Sequence, residues 1–148
     1  MATYQKFQSW IGTLCGGADL EGTAGTDADT LVAYLSNTPP SLTADVLKAD
    51  LAEIATGSGY SGPIPLDNVG TRTLGVLTVT AKSFAVTAAG GAIGPFRYVV
   101  IADDTLAGDP LMAVFDQGTP VTIADGQSWS VLFGGTPVGG LGTLCTVT

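Results

Sequence analysis

From about Arg72 onward the apolar residues recur at every second position, in short runs cut apart by glycine, proline and aspartate. The runs are Leu74–Thr80, Ser83–Ala88, Phe96–Ala102, Leu111–Asp116, Pro120–Ala124, Gln127–Phe133 and Leu141–Val147. A period of two belongs to the β-strand, whose side chains alternate between its faces. The alternation is cleanest in Phe84/Val86/Ala88, Val121/Ile123 and Trp129/Val131/Phe133. Asp125-Gly126, between two of the runs, is a hairpin signal. Short strands with regular turns favour an antiparallel sheet over a parallel α/β one. With an earlier strand over Thr30–Leu35 the count reaches about eight, the number of a jelly roll. The pattern predicts a mainly β fold, an antiparallel β-sandwich of jelly-roll type.

Within that pattern Gly90–Asp104, GGAIGPFRYVVIADD, reads as the central strand and its approach. Gly94-Pro95 marks a turn, and Pro95 is expected before the strand and not inside it. Phe96, Tyr98 and Val100 are expected on one face, with Arg97, Val99 and Ile101 on the other. Both faces are apolar apart from Arg97, so the strand should be covered on each side. Arg97 then needs a partner, and one of the many aspartates is the expected one. Asp103-Asp104 reads as a water-facing acidic turn.

Two helices are expected in the N-terminal third. Tyr4, Phe7, Trp10, Ile11 and Leu14 fall on one helical face over Thr3–Leu14, with Thr3 as N-cap and Gly16-Gly17 as the stop. That aromatic stripe must be buried, either on its own domain or on a neighbour. A second helix is expected after Thr43, with Leu42 stapled onto Leu47 and with Leu47, Leu51 and Ile54 inward. Between the helices, Ala18–Asp29 reads as an acidic loop. The chain is thus read as one domain over 1–148: a helical arm over 1–17, strand, loop and helix over 18–62, and the sandwich core over 63–148.

Composition limits what such a domain does. Only 12% of the residues are charged, about half the ~25% usual in soluble proteins, and mean hydropathy is +0.39. No apolar run approaches the ~18 residues of a membrane span. A charge-poor surface is best explained by permanent neighbours, in a homo-oligomer or larger assembly. The net charge of −8, with five scattered basic residues, disfavours direct contact with nucleic acid or an anionic membrane. The N-terminus shows no basic region followed by a long apolar one, so synthesis and folding in the cytoplasm are expected.

Chemistry is hard to find. The chain has no histidine, which removes Ser-His and Cys-His dyads and any Cys/His zinc site. Cys15 and Cys145 are expected as reduced, mostly buried thiols, with a disulfide between them as the alternative. Asp27-x-Asp29 lacks the remaining ligands of a calcium loop, so a solvated loop is expected. Asp103, Asp104 and Asp109 form the densest acidic group of the β region, but adjacent strand residues point apart. The glycine-rich tracts lack the Gly-Lys-Ser/Thr of a phosphate loop. No catalytic residue, cofactor or metal is expected.

Several stretches together resemble a known group. They are Met1–Phe7 (MATYQKF), Leu31–Pro40 (LVAYLSNTPP), Ala49–Ala55 (ADLAEIA), Gly59-Tyr60, Ile93–Tyr98 (IGPFRY) and Ile123–Gly126 (IADG). In this order they are similar to small virion proteins of tailed bacteriophages, over nearly the whole chain. The resemblance implies a non-enzymatic building block of a phage particle and leaves head or tail open. The first expectation is a capsid decoration (cement) protein, trimeric, bound to the outside of the major capsid protein. Its contact is expected from the N-terminal segment, through Tyr4, Phe7, Trp10 and Ile11. A head-fibre, tail or adaptor component is the alternative within the virion. Outside it, the alternative is a carbohydrate-binding β-sandwich that stacks sugars on Trp129 or Tyr60.

Overall fold

In the computed structural model, which describes residues 2–148, nearly every regular element is a strand. In chain order these are β1 (Thr3–Lys6), β2 (Gly22–Thr23), β3 (Leu31–Ser36), β4 (Ile64–Pro65), β5 (Val69–Thr73), β6 (Val76–Lys82), β7 (Phe84–Thr87), β8 (Ile93–Asp103), β9 (Leu111–Ile123), β10 (Ser128–Val131) and β11 (Leu141–Val147). One short helix, α1 (Trp10–Gly16), follows β1. The strands form a five-stranded sheet in the order β1-β9-β8-β3-β4, a four-stranded sheet β11-β6-β5-β2, and a pair β10-β7. Every strand pairing is antiparallel. The expected antiparallel, mainly β architecture is what the chain adopts.

The core explains the layering. Leu31, Ala33 and Leu35 of β3 and Val99 and Ile101 of β8 pack with Val79 and Ala81 of β6, Phe84 and Val86 of β7 and Leu144 of β11. That cluster fills the space between the five-stranded sheet and the other two. On the outer face of the large sheet, Val32, Tyr34, Tyr98, Val100 and Ala102 meet Phe7, Leu51, Leu111 and Val114. β3 and β8 are therefore buried on both faces, as the two-sided apolar run of β8 requires.

β8 departs from simple alternation at one point. Phe96 joins Val99 and Ile101 on the inner face, although parity places it with Tyr98 and Val100. The cause is a slip in the β8–β9 ladder: Phe96 opposes Val121, whereas Tyr98 opposes Asp116. Two steps on β8 span five on β9, so Gln117–Pro120 bulges out and resets the faces. The expected strands Leu111–Asp116 and Pro120–Ala124 are accordingly one long strand. Pro95 lies inside β8 and not before it. β3 reaches only Tyr98–Asp103, so Pro95 stands where β8 has β9 alone as neighbour and no second ladder needs its N–H.

Other expectations are corrected. Thr3–Leu14 is not one helix: Thr3–Lys6 pairs with Ala113–Asp116 of β9, and the helix begins only at Trp10, with Ser9 at its N-cap. Nor is there an arm, because Phe7 and Trp10 are core residues. The accessible surface of 7090 Å² matches the ~7,000 Å² of a compact 14.8 kDa monomer. No α-helix follows Thr43, where a 3₁₀ turn, Lys48–Asp50, is the one helical stretch. The Asp50 carboxylate accepts the N–H groups of Val46 and Leu47, each at 3.0 Å, and holds Leu47 extended. Such local capping competes with helix formation. Leu47 is part-exposed, while Leu51 is buried in the outer core and Ile54 packs against the inner one.

Asp125-Gly126 is a turn but not a hairpin. Asp125 accepts the Gly90 N–H at 2.8 Å, and Gly126 donates to the Ala88 carbonyl, so β10 crosses over to β7. The hairpin the sequence hides is β5–β6, turned by Leu74 and Gly75 at φ 52° and 83°. Arg97 finds its aspartate: Nε and Nη2 donate to the two oxygens of Asp116 at 2.6 and 2.8 Å. The last correction concerns Asp103, which is fully buried and does not face water.

Candidate functional site

β1 is an edge strand with a cleft on either side of its aromatic residue. Tyr4 packs on Phe115 of β9 with centroids 5.2 Å apart, and Phe115 packs on Phe133 at 5.9 Å. This aromatic row separates the two hollows. One, of about 210 Å³, lies between β1, α1 and the end of β11, and is lined by Tyr4, Lys6, Trp10, Ile11, Leu14 and Cys145 among others. The other, of about 140 Å³, lies between Ala2, Phe115, Gln117 and Trp129–Phe133. Trp129 closes it from below by standing edge-on to Phe96, at 4.9 Å.

The four residues expected to bind a partner divide. Tyr4 and Ile11 are 40% and 50% exposed and share the larger cleft. Trp10 lines the same cleft but is buried and belongs to the inner core. Phe7 is not part of the site. It continues the β1 ladder by donating its N–H to the Met112 carbonyl, and its ring fills the outer core. Helical spacing had placed Phe7 beside Tyr4, whereas the strand and the turn at Ser9 send them apart.

The site extends beyond these residues. Residues 126–148 contain no Asp, Glu, Lys or Arg. This uncharged stretch carries three large apolar side chains in water: Leu132, Val138 and Leu141, 51%, 52% and 48% exposed. It ends in β11, the edge of its sheet, whose other side is paired to β6 alone. Val147 of β11 opposes Leu77, which brings the exposed Leu74 hairpin to the same end of the sheet. A map of charge along the chain reveals the uncharged stretch; strand periodicity does not.

The phenol and the thiol of this region are held neutral. Burial, followed by the nearby Cys145, pushes the Tyr4 phenol up to about 12, and burial pushes the Cys145 thiol up to about 11. Both groups are neutral at physiological pH and weak as nucleophiles. Lys6 is the only basic residue outside an ion pair among the described residues. Lys48, Arg72, Lys82 and Arg97 pair with Glu53, Glu21, Asp67 and Asp116. The region therefore offers apolar area, hydroxyls, an open strand edge and one cation.

The remaining candidates have structural places. Asp27 Oδ1 accepts the Thr23 N–H at 2.6 Å, and Asp29 Oδ2 accepts the Asp19 N–H at 2.7 Å, so both carboxylates brace their own loop. Cys15 and Cys145 are free thiols, and Cys15 is exposed where burial was expected, because it lies on the outer side of α1. Tyr60 is buried, its hydroxyl donating to Glu53 while accepting the Leu35 N–H, so it offers no platform for a sugar. Trp129 is half-buried.

Compared with known proteins, the chain matches no family model, no curated protein and no solved structure.

Proposed function

We propose that the chain is a non-enzymatic structural protein of a tailed-phage virion: a capsid decoration protein, trimeric, seated on the outside of the major capsid protein. The observation that carries this reading is the uncharged stretch of residues 126–148, with Tyr4 and Ile11 beside its end at Cys145–Thr148. In a chain of net charge −8, this stretch brings no carboxylate of its own against a neighbour, and its exposed leucines and valine gain by burial. Its mechanism is additive interface area across capsomer junctions, with no chemical step. Manufacture in the host cytoplasm and a final place in the virion complete the reading. The jelly-roll form of the sandwich belongs to the same proposal. Pairings between strands distant in sequence, β3–β8 and β6–β11, support it, while the hairpins β5–β6 and β8–β9 weigh against it.

The test adds purified protein to phage heads and counts bound copies by electron microscopy. Wild type should decorate the shell at regular positions. Ile11→Glu and Leu141→Glu, both at exposed sites that leave the core intact, should each lower occupancy at least tenfold. Unchanged occupancy in both variants would place the contact elsewhere on the molecule. Wild type that ignores heads but binds tails moves the assignment to the tail or adaptor alternative.

A further inference from the structure

Among the described residues Asp103 is the one ionisable side chain with no accessible surface, and its carboxyl is only half satisfied. Oδ1 accepts the N–H groups of Thr105 and Leu106, at 3.0 and 3.3 Å. Oδ2 is buried with no hydrogen-bond donor. What faces it is a second carboxyl. The β3–β8 ladder opposes Leu31 to Asp103, and the Asp104 N–H carries the pairing one step on by donating to the Thr30 carbonyl. Asp29, two residues before Leu31, thereby falls on the same side of the ladder as Asp103, and its carboxyl acts on that of Asp103. Asp29 is itself nearly buried. Its Oδ2 is occupied by the Asp19 N–H, and its carbonyl by the Asn68 amide at 3.0 Å.

Among the described residues no cation pairs with either carboxyl. The loop supplies Asp19, Asp27 and Glu21, and Glu21 is held by Arg72; the β8–β9 turn supplies Asp104 and Asp109, and Asp67 beside Asn68 is held by Lys82. Asp29 borders an open hollow while Asp103 is enclosed. Two ionised carboxylates placed side by side here repel each other, and Oδ2 of Asp103 would remain without a donor. One proton removes both faults.

We propose that Asp29 and Asp103 share a single proton and form an acid-tightened clasp that holds the loop of residues 18–30 onto the turn between β8 and β9. The proton resides on Oδ2 of Asp103 and is donated to the Asp29 carboxylate. The clasp acts with two further ties between the same segments: the Thr30 N–H on Thr105 Oγ1 at 2.8 Å, and the Asp104 N–H on the Thr30 carbonyl at 2.9 Å. Losing the proton charges both ends of the clasp and loosens the loop. The sequence concealed this, because Asp103-Asp104 in a turn has the appearance of a solvated pair.

The direction of the pH effect follows. Burial pushes the Asp103 carboxyl up to about 6, and Asp29 adds to that against the pull of its two backbone donors. Between the ordinary carboxylate value of 3.8 and about 6, the folded chain holds a proton that the unfolded chain has released. Stability therefore falls as pH rises through this window and levels off above it. With no histidine in the chain, few other groups change charge there.

The test follows the side-chain carboxyl carbons of the whole protein by NMR titration, together with urea unfolding at pH 5.0 and 7.5. Asp103 should titrate near pH 6, and the urea midpoint should be higher at pH 5.0. Protection of the Asp19 and Thr30 amides, corrected for intrinsic exchange, should fall between the two pH values. Asp103→Asn supplies a permanent N–H donor to Asp29 and should erase the difference in midpoint. If that variant does not fold, Asp29→Asn should erase it instead, and the wild-type titration stands on its own. Titration of Asp103 in the ordinary carboxylate range, or a pH difference that persists in a folded variant, overturns the proposal.

Discussion

Leu74 sits where a leucine gains nothing inside its own subunit. It is 99% exposed and holds φ at 52°, a left-handed conformation that costs an L-residue about 1–2 kcal/mol. Asparagine accepts this backbone more readily, and Asn-Gly is the favoured pair for such a hairpin. Leu74→Asn should therefore raise stability by about 0.5–1 kcal/mol, read as a higher urea midpoint. Single residues differed in how far the sequence revealed them. Arg97 was legible, because one cation on an apolar strand must find a carboxylate, and Asp116 supplies it. Asp103 was not, since an aspartate in a turn is nearly always solvated and its burial depends on how β3 meets β8. The Leu74 turn was missed for the opposite reason: leucine is the wrong residue for it.

At the level of elements, strand period was a dependable guide and helix period was not. Leu141–Val147 is a strand with the expected bounds, and β3, β7, β8 and β10 fall within one to three residues of theirs. The N-terminal spacing misled because it joins two structures. Tyr4 belongs to a strand, while Trp10, Ile11 and Leu14 belong to α1, and the intervening turn happens to preserve intervals of three. The second expected helix lost to the Asp50 carboxylate, which captures the amides a helix would need in its first turn. The same reassignment changes what α1 does. It wedges Trp10 between the sheets instead of presenting an aromatic stripe to a partner. Trp10→Ala should thus destabilise the fold by about 3–5 kcal/mol, measured by urea unfolding. A loss below ~1 kcal/mol would contradict the wedge. Of the four residues expected to bind a partner, Tyr4 and Ile11 are exposed at the larger cleft, while Phe7 and Trp10 are buried. The uncharged C-terminal stretch leaves no periodic signal, because what marks it is what its residues lack.

For the molecule as a whole, charge is the organising quantity. Four of five basic residues are spent on internal ion pairs, Lys6 stands at the cleft, and the last 23 residues carry no charged side chain. Light scattering after size exclusion should give a mass about three times 14.8 kDa, whether measured at low or moderate salt. A self-contact made through uncharged strand and leucine surface is little affected by screening. A strict monomer would remove the argument from charge poverty. The topology has a further consequence, in time. β1 waits for β9, since Thr3 pairs with Asp116, and β6 waits for β11. Neither sheet can complete its edge until β9 and β11 have been made, and such non-local pairing is slow. Nascent copies on neighbouring ribosomes therefore pass through a period with unpaired strands and an unburied Trp10. In that period each can capture another's β1 in place of its own, so assembly and misassembly compete from the moment of synthesis.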